Sequence, residues 1–183
     1  MKNFNFTPKK FIIFLLYPLL LSIATTLPLA HCRDLNLIRS TCKQTPNYAL
    51  CVSTLCSNPK SSAAGDVASL TLIMVDAVKA AASDALNLIN QLTRKGSRDP
   101  AVRKNLADCA DEYDAILKAD VPVAVEALTK GDYKFAEEGA TDAANEAEFC
   151  EKGFGQGRSP LTRKNKRVHD LGAVTASMVR ILL

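Results

Sequence analysis

Apolar residues along most of this chain recur at steps of three and four, which is the spacing of one face of an α-helix. The longest run starts after Asp66, a residue type that caps helix N-termini, and stops at Gly96, which suits the position after a helix C-terminus. Its apolar stripe consists of Val67, Leu70, Met74, Ala77, Ala81, Ala85, Leu88 and Leu92. The pattern predicts a helix of about 28 residues, or roughly 42 Å at 1.5 Å per residue.

A second helix is predicted from Pro100, because proline is favoured in a first helical turn and Asp99 can cap it. Its apolar stripe consists of Val102, Leu106, Cys109, Tyr113, Ile116 and Leu117. Pro122 falls inside the same pattern, so we expect a kink or a break near Val121. Helical spacing then resumes and ends at Gly131.

Two further helices complete the pattern. Asp132 can cap a third helix that reaches about Cys150, and the stretch 153–160 (GFGQGRSP) has the composition of a linker. The last helix carries an apolar seam of Val168, Leu171, Thr175, Met178 and Leu182. Small residues flank this seam and permit close approach of a neighbour, namely Gly172, Ala173, Ala176 and Ser177.

Four long helices with short connections favour an all-α fold, an antiparallel up-and-down four-helix bundle over residues 65–183. Upstream, residues 34–57 hold two short helical stretches around the turn Thr45-Pro46-Asn47. Isolated helices of this length are marginal in water, so the N-terminal helical hairpin needs a covalent link, which its cysteines can supply.

The six cysteines can be paired on this topology. Cys42 and Cys51 flank the hairpin turn and face one another across it, while Cys109 and Cys150 lie at similar distances on either side of Gly131. Both pairs therefore satisfy the geometry of a disulfide, which is typical of an oxidising compartment. Cys32 and Cys56 remain; they form a third disulfide, or Cys56 is free.

The first residues have the features of a secretory signal. A basic start precedes a 14-residue apolar run, FIIFLLYPLLLSIA, which is short for a membrane span and contains a proline. Small residues favour cleavage after Ala24, with Ala30 as the second choice, so residues 1–24 are assigned to the signal peptide. The alternative is an uncleaved signal anchor. Cleavage predicts a secreted chain that no longer contacts the membrane.

Charge and chemical motifs exclude several functions. Removal of the signal takes away three lysines and leaves 20 basic against 19 acidic residues, a net charge of +1 that gives no global attraction to nucleic acid. The motifs of serine hydrolases, zinc proteases and phosphate loops are absent from the sequence, and it has only two histidines. Carboxylate clusters such as Asp108, Asp111 and Glu112 are interpreted as a solvated helix face. These features favour a binding or inhibitory module without cofactor, metal or catalytic residues.

The segment from Cys42 to Cys51 (CKQTPNYALC) resembles the signature hairpin of the plant invertase and pectin methylesterase inhibitor family. The resemblance extends over residues 37–183, and the later cysteines match that family's second disulfide. Residues 127–139 (ALTKGDYKFAEEG) resemble the stretch that holds the Pro-Lys-Phe motif of invertase inhibitors, with Tyr133 where that motif has proline.

This resemblance implies a secreted inhibitor of acid invertase, a glycoside hydrolase, acting as a monomer in a 1:1 complex in the apoplast or the vacuole. The implied target-binding residues lie at one helix–helix corner and are Asp132, Tyr133, Lys134, Phe135 and Glu137. The alternative for Phe135 is a place in the bundle core. Protonation of Glu137 and Glu138 is expected to strengthen inhibition as pH falls from about 7 to 5. The rival functions are a pectin methylesterase inhibitor that uses a broader helix face, and a bundle without a target.

Overall fold

The computed structural model describes residues 35–155 and 159–183, so the signal segment, its cleavage sites and Cys32 lie outside the described residues. The described residues form helices and turns, without a strand. The helices are α1 Leu35–Cys42, α2 Tyr48–Ser57, a 3₁₀ helix Pro59–Ala63, α3 Val67–Lys95, α4 Pro100–Ala115, a π-helical segment Ile116–Asp120, α5 Val121–Lys130, α6 Tyr133–Gly153 and α7 Thr162–Arg180.

The predicted helix boundaries are confirmed where a capping residue defines them. The Ser69 N–H donates to Asp66 Oδ1 at 2.7 Å, and the Ala101 N–H donates to Asp99 Oδ1 at 2.8 Å. These bonds satisfy N–H groups that have no partner inside α3 and α4. Gly96 ends α3 with φ +72°, in the region that L residues with a side chain avoid.

The apolar stripe predicted for α3 is too narrow. Leu70, Met74 and Ala85 are buried as expected, but the other five residues of the stripe are only partly buried. Residues outside the stripe are fully buried instead: Thr71, Ile73, Val75, Val78, Ala82 and Ile89. The reason is that α3 packs against α4, α5, α7 and the hairpin, so more than one stripe faces other helices.

Of the kink or break expected near Val121, the break is wrong. The backbone keeps helical φ and ψ through Ala115, Asp120 and Val121, and the irregularity is instead a π-helical turn that ends where α5 begins. Pro122 has no N–H for the carbonyl four residues earlier, and the Val121 N–H donates to the Ile116 carbonyl five residues earlier. The chain therefore passes from α4 to α5 as one irregular helix.

The four long helical stretches form the antiparallel bundle that the sequence predicts. The seam residues of α7 are buried except Leu182, which is partly buried. The expected close approach is found at Gly172, where a Cβ would lie 2.9 Å from both the Ala140 carbonyl oxygen and the Ala144 Cβ. This spacing brings α7 directly against the alanine face of α6.

Both predicted disulfides are present. Cys42 and Cys51 join α1 to α2 with Cα atoms 5.5 Å apart, and Cys109 and Cys150 join α4 to α6 with Cα atoms 4.8 Å apart. Cys56 is disulfide-bonded as well, so the alternative of a free Cys56 is wrong. The hairpin and the bundle share one apolar core, to which Ile38 and Leu55 of the hairpin contribute.

Candidate functional site

The corner between α5 and α6 is a two-residue turn built around a glycine. Gly131 has φ +81° in the left-handed region, and the Asp132 N–H donates to the Ala127 carbonyl at 2.9 Å. This is the usual glycine-dependent end of a helix, with the last carbonyls satisfied by the turn. Asp132 precedes α6 and is exposed, but its side chain makes no capping hydrogen bond. The chain therefore reverses sharply and presents the first turn of α6 to solvent.

Phe135 lies on this corner and is 60% exposed, so the alternative that places it in the bundle core is wrong. Its neighbour Tyr133 is half-buried and packs against the apolar core. Tyr133 is therefore a packed residue of the corner. The corner therefore presents an exposed phenylalanine ring to solvent, next to a tyrosine that packs against the core.

Lys134 extends from the same turn with 72% of its side chain exposed. Its Nζ lies 3.5 Å from Glu137 Oε2, whereas Arg180 Nε donates to Glu137 Oε1 at 2.6 Å. The cation nearest to Glu137 is therefore Arg180 and not Lys134, and the side chain of Glu137 is only 16% exposed. Exposed ion pairs contribute little, so Lys134 can leave Glu137 at small cost.

The same contact corrects the role expected for Glu137 in pH dependence. The hydrogen bond from Arg180 holds the pKa of Glu137 below its usual value, with the nearby Lys134 charge acting in the same direction. Glu137 therefore stays ionised as pH falls from about 7 to 5. Protonation of Glu137 is not the source of a pH effect in that range.

The sequence did not indicate the groove beside Phe135. A shallow cavity of about 170 Å³ lies between α5 and the corner, and its lining residues are Val123, Glu126, Ala127, Lys130, Asp132 and Phe135. Val123 is 44% exposed, and Glu126 and Lys130 form an ion pair on the groove's edge. The signal in the sequence would have been Val123 and Ala127, two apolar residues four positions apart on α5. The result is an apolar spot with charged residues around it, as in the centre and rim of a protein interface.

A second unpredicted feature is a carboxyl cluster between α4, the π-helical segment and α6. It consists of Glu112, Asp120, Asp142 and Glu146. Burial and contact with Glu112 raise the pKa of Glu146 to about 8, and burial beside Asp142 raises the pKa of Asp120 to about 6. Asp108 and Asp111 are exposed as expected, but Glu112 is half-buried, so the solvated-face interpretation is wrong for that residue.

Within residues 35–155 and 159–183, no group of three or more histidine, cysteine, aspartate or glutamate side chains is arranged so that it could hold a metal ion. In the same ranges, no helix combines the length and apolar character needed to cross a membrane.

The model of the plant invertase/pectin methylesterase inhibitor family matches residues 36–178. The chain belongs to this family. Its members named below are inhibitors of enzymes, and none is described as an enzyme itself.

Two relatives and one solved structure are similar to this chain. It is 43% identical over 143 residues to a cell wall / vacuolar inhibitor of fructosidase from Arabidopsis thaliana, covering 78% of this chain and 67% of that protein. It is 32% identical over 120 residues to a pectinesterase inhibitor from Actinidia deliciosa, covering 65% and 63%. Its fold matches that of a mutant form of a pectin methylesterase inhibitor from Arabidopsis, with a TM-score of 0.69 at 21% identity over 80% of this chain and 97% of the other.

Proposed function

We propose that this protein is a secreted inhibitor of acid invertase that blocks the sucrose-binding cleft with the α5–α6 corner. Two sequence comparisons favour invertase over pectin methylesterase as the target: 43% identity to a fructosidase inhibitor against 32% to a pectinesterase inhibitor. The observation that carries the proposal is the corner itself, where Phe135 is 60% exposed and Lys134 reaches into solvent beside it.

The chemistry of the corner suits a glycosidase cleft. A retaining glycosidase holds two carboxyl groups about 5–5.5 Å apart, and an ammonium group can bind between them as a point charge. Phe135 supplies an apolar contact of the kind that dominates interface energies, and the groove beside it can receive a side chain of the enzyme. Asp132 and Glu137 flank the two residues; Arg180 keeps Glu137 turned toward α7, away from an acidic cleft. Inhibition then needs no covalent step.

The proposal includes secretion to the apoplast, with the vacuole as the alternative destination, and a monomeric inhibitor in a 1:1 complex. Three observations support the compartment: the signal-like start of the chain, the relative named as a cell wall / vacuolar inhibitor, and the disulfides, which persist in oxidising environments. A corner that inserts into a single cleft is consistent with one inhibitor for each enzyme molecule.

The test is the effect of Lys134→Ala and Phe135→Ala on inhibition of an acid invertase. Loss of the ammonium leaves the enzyme's carboxyl pair without a partner, so Lys134→Ala is expected to weaken binding by about 2–5 kcal/mol, or roughly 30- to several-thousand-fold. Both positions are exposed, so the free energy of unfolding should change by less than about 0.5 kcal/mol.

The far end of α6 supplies matched controls. Lys152 has 63% of its side chain exposed and Phe149 is 53% exposed, so Lys152→Ala and Phe149→Ala remove the same groups elsewhere on the same helix. These two variants should inhibit invertase as the native protein does. If all four variants inhibit invertase equally well, the corner is not the contact surface. Inhibition of pectin methylesterase by the native protein, measured in a separate assay, would then favour the rival function.

A further inference from the structure

The first two turns of α7 carry four cationic residues where a helix tolerates them least. Arg163, Lys164, Lys166 and Arg167 follow directly on the helix start at Thr162. The N-terminal end of a helix has a partial positive charge, so cations there are unfavourable. Two of the three basic residues of α3, Arg94 and Lys95, lie in its last turn, where they are favourable. A cluster that opposes the helix dipole is a local conflict of the kind found at functional sites.

These cations line an open groove between α3 and α7 with a volume of about 420 Å³. Two of them are neutralised inside the protein, because Lys164 pairs with Asp84 of α3 and Lys166 pairs with Asp170 at 2.6 Å. Arg163 and Arg167 are exposed and have no ion pair within residues 35–155 and 159–183. They lie one helical turn apart, so their guanidinium groups are on the same side of α7.

The groove therefore offers two guanidinium groups in a row, beside two further cations that acidic side chains hold in place. A guanidinium group presents a planar fork of donors that matches a carboxylate bidentately. Two such forks along one helix match a ligand whose carboxylates repeat along a chain. The net charge of the chain without its signal is near zero, so attraction of an anion depends on this local cluster.

We propose that the α3–α7 groove binds a linear polyuronate, the demethylated form of pectin, and so retains the inhibitor in the cell wall. This inference rests on the proposed secretion, but not on the proposed target. Two arguments lead to this class of ligand. In the cell wall, pectin methylesterase converts the methyl esters of pectin into carboxylates, and in the groove the guanidinium groups of Arg163 and Arg167 can donate hydrogen bonds to carboxylates. Sulfated polymers have other anionic groups, and binding of heparin, one such polymer, is an outcome of the test.

The position of the groove permits simultaneous binding of an enzyme at the α5–α6 corner. Arg180, near the C-terminal end of α7, contacts Glu137 beside Lys134. Arg163 lies about 25 Å from Arg180 along the helix axis at 1.5 Å per residue. The groove and the corner are thus at opposite ends of the bundle, and a bound polymer leaves the corner accessible.

The experiment compares binding of the oxidised, signal-free protein to polygalacturonate, to fully methyl-esterified pectin and to heparin at two salt concentrations. The test variant is Arg163→Gln with Arg167→Gln. The control is Arg94→Gln with Lys95→Gln, which removes the same charge from the exposed last turn of α3. We expect the test variant to bind polygalacturonate about tenfold more weakly or worse, and the control to change affinity less than about twofold.

Three further results support or overturn the proposal. Binding should disappear with methyl-esterified pectin and weaken with salt, and the test variant should inhibit invertase normally with an unchanged or higher melting temperature. Equal binding of esterified and demethylated pectin, or tighter binding of heparin than of polygalacturonate, would contradict a carboxylate-specific groove. An equal loss in both double variants would overturn the assignment to α7. Because inhibition is measured separately, failure of the target proposal leaves this result interpretable.

Discussion

Helix α6 meets its two neighbours in opposite ways. Against α7 it presents alanines, and Gly172 lets the backbones approach until no Cβ fits between them. Against α4 and the π-helical segment it presents carboxyl groups, with Glu146 in contact with Glu112. The first seam gains stability from close packing, together with the bonds from Arg180 to Glu137 and from Asn165 to Glu151. The second contains groups that are costly to bury in charged form.

The carboxyl seam is held together by two features, of which the alanine seam lacks the first. The Cys109–Cys150 disulfide joins α4 to α6 close to Glu146 along the helix. At the π-helical segment, a Cβ on Gly139 would lie 2.7 Å from the Asp120 carbonyl oxygen, so α6 also approaches closely there. Asp120 Oδ2 is buried without a hydrogen-bond partner in the described residues. The Cys109–Cys150 disulfide and the close approach at Gly139 thus hold the carboxyl groups of α4, the π-helical segment and α6 near one another.

The largest expected effect comes from cutting the covalent link. Loop-entropy reasoning gives about 4 kcal/mol for the Cys109–Cys150 bridge, with a sequence separation of 41, and about 2.5 kcal/mol for Cys42–Cys51, with a separation of 9. We therefore expect Cys109→Ala with Cys150→Ala to unfold at lower urea concentration than Cys42→Ala with Cys51→Ala. Urea unfolding at pH 5 measures both; the reverse order would show that the carboxyl seam does not need its link.

Adding a single methyl group at Gly172 is expected to disrupt the alanine seam. In Gly172→Ala the new Cβ would meet the Ala140 carbonyl oxygen and the Ala144 Cβ at 2.9 Å, and neither can move without shifting α6. The expected loss is about 2 kcal/mol of unfolding free energy, despite the higher helix propensity of alanine.

Gly153→Ala is the matched control for this change, because its Cβ would have ordinary contacts of 3.7 Å or more, all with Asn105. It should leave stability unchanged or raise it by a few tenths of a kcal/mol. Thermal unfolding of the two variants distinguishes them, and equal stabilities would mean that the α6–α7 seam has room that the structure does not show.

The alanine seam was largely predictable from the sequence, and the carboxyl seam was not. Helix ends depend on local signals such as Asp66 and Gly131, and small residues around Gly172 indicate close approach without reference to any partner. Glu112 and Glu146 are 34 positions apart, and each alone fits a solvated helix face. Only the register between α4 and α6 brings them together, and periodicity within one helix contains no information on that register.

At the α5–α6 corner, too, the local turn was predictable from the sequence and the contact between helices was not. Gly131 and Asp132 indicate a turn from local sequence, so the exposure of Lys134 and Phe135 could be expected. The bond from Arg180 to Glu137 joins α7 to α6 across the bundle, and it was missed for the reason that applies to Glu112 and Glu146.

The comparison also predicts a pH effect confined to the carboxyl seam. Burial and the neighbouring Glu112, Asp120 and Asp142 raise the pKa of Glu146 from 4.5 to about 8 in the folded state. Between those values the folded protein binds more protons than the unfolded chain, so its stability falls as pH rises from about 4.5 to 8. The stabilisation is fully present below 4.5, and Asp120, whose pKa rises to about 6, acts in the same direction.

Glu146→Gln tests this directly. The amide can donate to the Glu112 carboxylate at any pH, so the variant should lose much of the decline that the native protein shows between pH 5 and 8. Because the seam is partly open to solvent, screening reduces that decline to about 1–2 kcal/mol. Glu148→Gln is the control, since a hydrogen bond from Lys152 lowers the pKa of Glu148 and keeps it ionised throughout this range. Urea unfolding at pH 5, 6, 7 and 8 should give parallel profiles for the native protein and Glu148→Gln, and a flatter one for Glu146→Gln. A native profile that is already flat would mean that the four carboxyl groups do not share protons in the folded state, and the contrast between the two seams would then be one of packing alone.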